Sequence, residues 1–352
     1  MSKRAAGAVC AALALLTTAY VPAINGLRHN RLVLAAPVAI GASAIGAWQY
    51  TRSGAALIAC VALSVFLFPA PGIRIFLLAL AAVAFVLACA SHEKWAGGMA
   101  YIADTVCIVA LANVAMEILQ VAGLGIPGHT RGITGLMANP DETSALLGIC
   151  APYFFRRRWV LALPLVVLGI VLCKVWIGLV ALVAVAGVLL WKRHGIVGAS
   201  IATAGGVCTL AAVGGLAGWS FEAHVGSRLV AWSATVQAWL SFPVLGWGFG
   251  RYGAVIPSLL PPGTEMFMEA HNDFLQLAFS TGALGLILAA AFVASTIKKG
   301  LRLVDTAPVL SFIASCVSAC AFFTWQIVPL AALTIFSLAA IHGAPKSVGA
   351  RR

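Results

Sequence analysis

The chain has 352 residues and carries 22 Lys and Arg against 10 Asp and Glu, a formal net charge of +12. Apolar residues make up 62% and charged residues 9%, and the mean hydropathy is +1.02. This composition excludes a soluble domain, because the charges fall in short patches between uncharged runs of about 16 to 25 residues, the pattern of membrane helices. The nine cysteines lie nearly all inside apolar runs, with no CxxC pair and no metal spacing. They read as small core- or lipid-facing residues rather than a disulfide framework.

In chain order, the apolar runs predict about twelve helices in one polytopic membrane domain, residues 1–352. The first run follows Lys3-Arg4. It lacks a clear cleavage site and is followed by many more spans, so it reads as a helix, not a signal peptide. The first four helices are expected at Ala6–Ile24, Leu32–Trp48, Ala55–Phe68 and Ile75–Ala90, and the fifth at Gly98–Val121. A glycine-rich loop from Gly123 to Met137 leads to a sixth helix, Pro140–Phe155, stopped by Arg156-Arg157-Arg158. Its start is legible: Asn139 as N-cap, Pro140 at the first helical position, and acids in the first turn. Asp141 and Glu142 read there as capping residues and no more. Trp159–Cys173 and Val175–Trp191 meet at Lys174, and Ile196–Trp219 follows. Asp104 and Glu117 of the fifth helix are the clear intramembrane acids, which makes them functional candidates.

Residues 220–270 form a long outer loop. Within it, Ser227–Trp239 reads as a short amphipathic helix whose Trp232 and Trp239 share a face suited to the membrane interface. Gly246-Trp247-Gly248-Phe249-Gly250 reads as a tight turn against the membrane surface; no nucleotide-loop context surrounds it. The tenth helix is expected to begin at His271 and to run uncharged from Phe274 to Ile297. On a continuous helix His271 and Gly282 fall on nearly one face, with Gly285 a turn further on, and small residues there admit a second helix. The last helices are Pro308–Thr324 and Gln326–Ile341.

With both termini inside, Lys3, Arg4, Arg52, Lys94, Arg156–Arg158, Lys192-Arg193, Lys298-Lys299 and Arg302 share the cytoplasmic side, as do Lys346, Arg351 and Arg352. Arg28, Arg31, Arg74, Arg131, Lys174, Arg228 and Arg251 lie outside, which obeys the positive-inside rule except at the first hairpin. Cations converging on an outer membrane face suit a lipid-linked phosphate or pyrophosphate, and they also suit lipid headgroups.

Residues about 125 to 300 resemble the O-antigen ligase superfamily of bacterial inner-membrane glycan ligases and polymerases. His271-Asn272, nine residues, Gly282, two residues and Gly285 match the family signature His-[Asn/Ser/Gln]-x9-Gly-x-x-Gly. Arg228 followed by Trp232 resembles its Arg-x3-Leu element with Trp in place of Leu. Pro243–Gly250 resembles the glycine-rich turn, and Gly135–Pro140 an earlier loop motif. Cys173-Lys174 departs from the usual Ser-Arg pair, and Arg251 stands where the family has a small polar residue.

The resemblance implies an all-α integral membrane protein of the inner membrane, GT-C-like, with its site on the periplasmic face. It implies transfer of a glycan from an undecaprenyl-pyrophosphate carrier to a hydroxyl acceptor, with inversion, and with no metal or other cofactor. O-antigen ligation to lipid A core is the leading expectation and polysaccharide polymerisation the alternative. A lipid-glycan transporter is the reading from another class. In the enzyme reading His271 is the base, with Glu269 and Asp273 beside it to fix its tautomer or raise its pKa. Arg228, Lys174 and Arg251 take the pyrophosphate. Asn272, Glu269, Gly282 and Gly285 support the site. The expected partners are the carrier-linked donor, the lipid A core or glycan acceptor and membrane lipid, with no nucleic acid.

Overall fold

A computed structural model describes residues 98–124, 132–137, 139–156, 159–216, 221–264 and 269–343. The first four predicted helices and both chain termini lie outside these residues. Among the described residues the chain is all-α, with no strand. The helices are α1 (Gly98–Val121), α2 (Pro140–Cys150), α3 (Leu163–Leu172), α4 (Trp176–Leu216), α5 (Phe221–Ser241), α6 (Tyr252–Val255), α7 (Asp273–Gly300), α8 (Ala307–Ala319) and α9 (Val328–Gly343). Short 3-10 turns at Ala151–Phe155, Val160–Ala162 and Ile256–Leu259 extend α2, α3 and α6.

Among the described residues, three stretches are long and apolar enough to cross a membrane: Ala103–Val121, Trp176–Ala212 and Asp273–Gly300. The second is two helical arms joined at a kink. Gly195 adopts φ 63°, ψ −147° inside α4, a conformation essentially restricted to glycine. The arms on either side pack back on each other, Gly206 against Val183 and Gly214 against the Trp176 ring. Each arm reaches about 30 Å at 1.5 Å per residue, enough for the hydrocarbon core.

Helices α2 and α8 occupy the centre. Every residue of α2 from Thr143 to Cys150 is buried, and so is nearly all of α8. The expected cap is in place: Asn139 is extended, its Oδ1 accepts from the Asp141 N–H at 2.9 Å, and Pro140 follows at the first position. Charge separates to the two ends of this bundle. At one end Arg156 pairs with Asp305, the Lys192 ammonium donates to the Leu301 carbonyl at 3.2 Å, and Lys299 donates to the His342 carbonyl at 3.0 Å. The opposite end holds the starts of α2, α5 and α7 and the end of α8.

Several expectations need correction. The amphipathic helix is longer than Ser227–Trp239, running from Phe221 to Ser241. Its Trp232 indole N–H donates to the Ala270 carbonyl at 2.8 Å and ties α5 to the segment before His271. Helix α7 is not continuous. Gly282 lies at φ 68°, ψ −167° and breaks it, so His271 and Gly282 share no helical face. An unbroken helix would bond Ala283 N–H to Phe279 and Leu284 N–H to Ser280. Instead the Pro243–Gly248 turn takes all four groups. Trp247 N–H donates to Phe279 O at 2.7 Å and Gly248 N–H to Ser280 O at 3.0 Å. Ala283 N–H donates to Pro243 O at 2.7 Å and Leu284 N–H to Val244 O at 3.4 Å. Thus the tight turn packs into a helix break rather than against a membrane surface. The close approach needs glycine on both sides: a Cβ at Gly246 would stand 2.5 Å from the Phe279 carbonyl, and one at Gly282 would overlap Val244. At Gly285, which is buried, a Cβ would collide with the Thr281 side chain.

Candidate functional site

Arg228 sits one to two turns into α5, its side chain 12% exposed. Its Nη2 donates to Asp141 Oδ2 at 2.6 Å and its Nη1 to the Ala321 carbonyl at 3.1 Å. The second contact has a local cause. α8 stops at Ala319, and the last carbonyls of a helix lack intrahelical partners and carry its negative dipole end. Asn272 uses the same feature: its Nδ2 donates to the Cys320 carbonyl at 2.7 Å. Its Oδ1 accepts from the Phe274 and Leu275 N–H groups at 3.0 Å, so Asn272 is the N-cap of α7.

His271 therefore precedes the helix and does not begin it. It is held at φ +50°. For a residue with a Cβ this left-handed region costs about 1–2 kcal/mol. Its ring meets Phe323 edge to face, with centroids 4.7 Å apart, and lies 6.4 Å from Phe322. Burial, then the Arg228 charge, push the imidazole pKa down to about 4, and Asp141 opposes the shift. This reverses the expectation that acidic neighbours raise it. Asp273 does not serve His271, since its carboxylate accepts from the Trp325 N–H at 2.8 Å and from Gln326 Nε2 at 3.0 Å. Glu269 is half-buried, and burial raises its pKa too. Burial raises the pKa of the Tyr252 hydroxyl, and the Glu269 charge adds to it.

Lys174 is exposed, in the bend between α3 and α4. It stands next to Val175, whose carbonyl accepts from the Ser144 hydroxyl on the first turns of α2. That puts it at the same end of the bundle as Arg228. Its φ is +56°, and among the described residues Lys174 and His271 are the two non-glycine positions with positive φ. Such outliers cluster at functional sites. Arg251 lies on a different segment from Arg228. It is exposed at the start of α6, and the adjacent Tyr252 meets Thr235, two turns along α5 from Arg228, with 2.7 Å between hydroxyls.

The structure thus joins Arg228, Asp141 and His271 and holds Lys174 at the same end. Asp141 is the residue that sequence reasoning passed over, because its helix-start position already explained it. The signal was its exchange partner: a first-turn acid and an outer-face arginine in one apolar chain each need an opposite charge when buried. Glu117 is fully buried on α1 between Asn113 and Gln120, and its carboxylate lies against Gly169 without a hydrogen bond. Among the described residues no group of three or more His, Cys, Asp and Glu side chains is arranged to hold a metal ion. In comparisons with known proteins, no family model matches the chain and no curated protein matches it.

Proposed function

We propose that the chain is a membrane glycan transferase. In this reading it moves a glycan from an undecaprenyl-pyrophosphate carrier to a hydroxyl acceptor at the end of the bundle that holds Arg228 and His271. That end faces the periplasm of the inner membrane, because Arg156, Lys192, Lys298 and Lys299 gather at the other end and basic residues stay inside. About twelve helices build the whole domain. The observation that supports the reading most is His271 itself: a histidine in costly left-handed backbone, half-buried, in the field of a guanidinium.

The chemistry follows from the charges. His271 is neutral at pH 7, so it is free to take the proton of the acceptor hydroxyl. The hydroxyl oxygen forms its bond to the anomeric carbon as the bond from that carbon to the pyrophosphate oxygen breaks, which inverts the centre. The electron pair leaves with the pyrophosphate, stabilised by Arg228 and by Lys174. A bound pyrophosphate offsets the Arg228 field at His271, so the base strengthens when the donor is present.

A break such as the one at Gly282 also occurs in transporters, where unwound backbone lines a substrate cavity. Here the freed groups are closed by the Pro243–Gly248 turn instead. The experiment is glycan transfer by the purified protein in liposomes with no ion gradient, together with the glycan phenotype of a deletion strain. A ligase deletion accumulates carrier-linked polymer with none on lipid A core. A polymerase deletion leaves single repeat units on the core. Absence of transfer with gradient-dependent flux would replace the enzyme reading with the transporter.

A further inference from the structure

Arg228 offers guanidinium N–H groups to an oxyanion, and in this structure Asp141 holds one of its nitrogens. Nη2 donates to Asp141 Oδ2 at 2.6 Å, and the side chains are 12% and 13% exposed. A carboxylate and a phosphate seek the same guanidinium donors, and two anions beside one another repel, so the two compete for Arg228. The Asp141 backbone is not free to retreat. It lies in the first turn of α2, with its N–H bonded to Asn139 Oδ1 at 2.9 Å, and α2 is buried from Thr143 onward. Only its side chain can turn away. The other neighbour in the field of both charges is His271: Arg228 acts against its protonated form and Asp141 in favour of it.

We propose that Asp141 is a carboxylate latch that fills the anion seat of Arg228 in the empty site and passes to His271 when a pyrophosphate takes its place. The exchange keeps every charge paired. Arg228 moves from carboxylate to pyrophosphate, and Asp141, released into a site with little water, faces the imidazolium that forms as His271 accepts the acceptor proton. Donor binding and activation of the base are then one event, and His271 stays a weak base while the donor is absent. Asp141 acts through Arg228 and His271 and touches neither reacting atom, so it is a positioning residue. This inference rests on the transferase reading of the site. An ion pair that only joins α2 to α5 would give no such exchange.

The two are separated by binding inorganic pyrophosphate to the detergent-purified full chain, alongside donor kinetics. Asp141→Asn removes the competing charge and keeps the shape. It is expected to bind pyrophosphate about tenfold more tightly than the native chain, the effect of removing one nearby like charge in a half-screened site. Its KM for the donor falls, and its kcat falls as well because His271 loses its partner. Asp141→Ser is measured in parallel, so that one unstable variant does not decide the matter, and each variant's thermal midpoint is recorded. Binding no tighter in both variants, with pyrophosphate binding abolished in Arg228→Gln, overturns the latch and leaves the site reading standing. Pyrophosphate binding by Arg228→Gln equal to that of the native chain overturns the site reading and the latch with it.

Discussion

The break in α7 offers the sharpest test of how this chain holds its site. Gly282→Ala places a side chain at φ 68°, ψ −167°, a region essentially reserved for glycine, at a cost of about 1–3 kcal/mol. The new Cβ also overlaps the Val244 carbonyl, so the Pro243–Gly248 turn has to withdraw. Four backbone hydrogen bonds go with it, each about 1 kcal/mol net. The total is about 5–7 kcal/mol, against about 5–15 kcal/mol for the stability of a whole domain. Gly263 is the control. It also has positive φ, +79°, yet a Cβ there meets nothing within 4 Å. Gly263→Ala is therefore expected to cost about 1–2 kcal/mol. At about 2 °C per kcal/mol for a chain of this size, the midpoint falls by at least about 10 °C in Gly282→Ala and by roughly 3 °C in Gly263→Ala. The assay is thermal unfolding in detergent with a thiol-reactive fluorophore, which reads exposure of the buried Cys107, Cys150 and Cys173. If Gly282→Ala melts no earlier than Gly263→Ala, the turn does not hold the break and the account of the α7 start is wrong.

Arg228→Ala is expected to cut transfer strongly and Arg228→Lys to restore it only in part, since lysine lacks the fork that serves Asp141 and a phosphate; wild-type activity in Arg228→Ala would reduce Arg228 to a headgroup contact. For His271→Ala, insertion and donor binding persist while the transfer rate falls about 10²–10⁴-fold, and a loss below tenfold in single-turnover assays would leave His271 a positioning role. With its pKa near 4, His271 is the free base above that value, so kcat/KM stays flat from neutral pH down to about 5 and falls below it as the ring protonates. The acid limb of kcat lies at higher pH, because bound pyrophosphate raises the ring; a kcat/KM limb near 6.5 would refute the buried, Arg228-facing environment. A cysteine at the exposed Ser258 is expected to react with an impermeant thiol reagent from the periplasmic side, and cytoplasmic labelling would invert both topology and site.

Local chemistry made much of this protein legible from its residues. Run lengths between charges foretold apolar helices, Asn139-Pro140 foretold the start of α2, and the gap between the runs ending at Trp191 and starting at Ile196 foretold where two arms part. Each depends on neighbours within a turn or two, which a sequence states directly. Arg228 and His271 were legible as candidates because polar groups in an apolar chain need a reason. Their arrangement was not. Gly282 and Gly285 read identically whether a helix packs on them or a turn replaces the helix's own hydrogen bonds, and only the presence of Pro243–Gly248 decides. Asp141 read as a cap because a first-turn acid satisfies that role alone; its pairing with Arg228, far along the chain, depends on where α2 and α5 meet. The basicity of His271 was misjudged from Asp273 beside it in sequence. Side-chain direction sends that carboxylate to Trp325 and Gln326, while folding brings burial and Arg228 to the ring. Electrostatics follows distance in space, and that is what tertiary structure alone determined here.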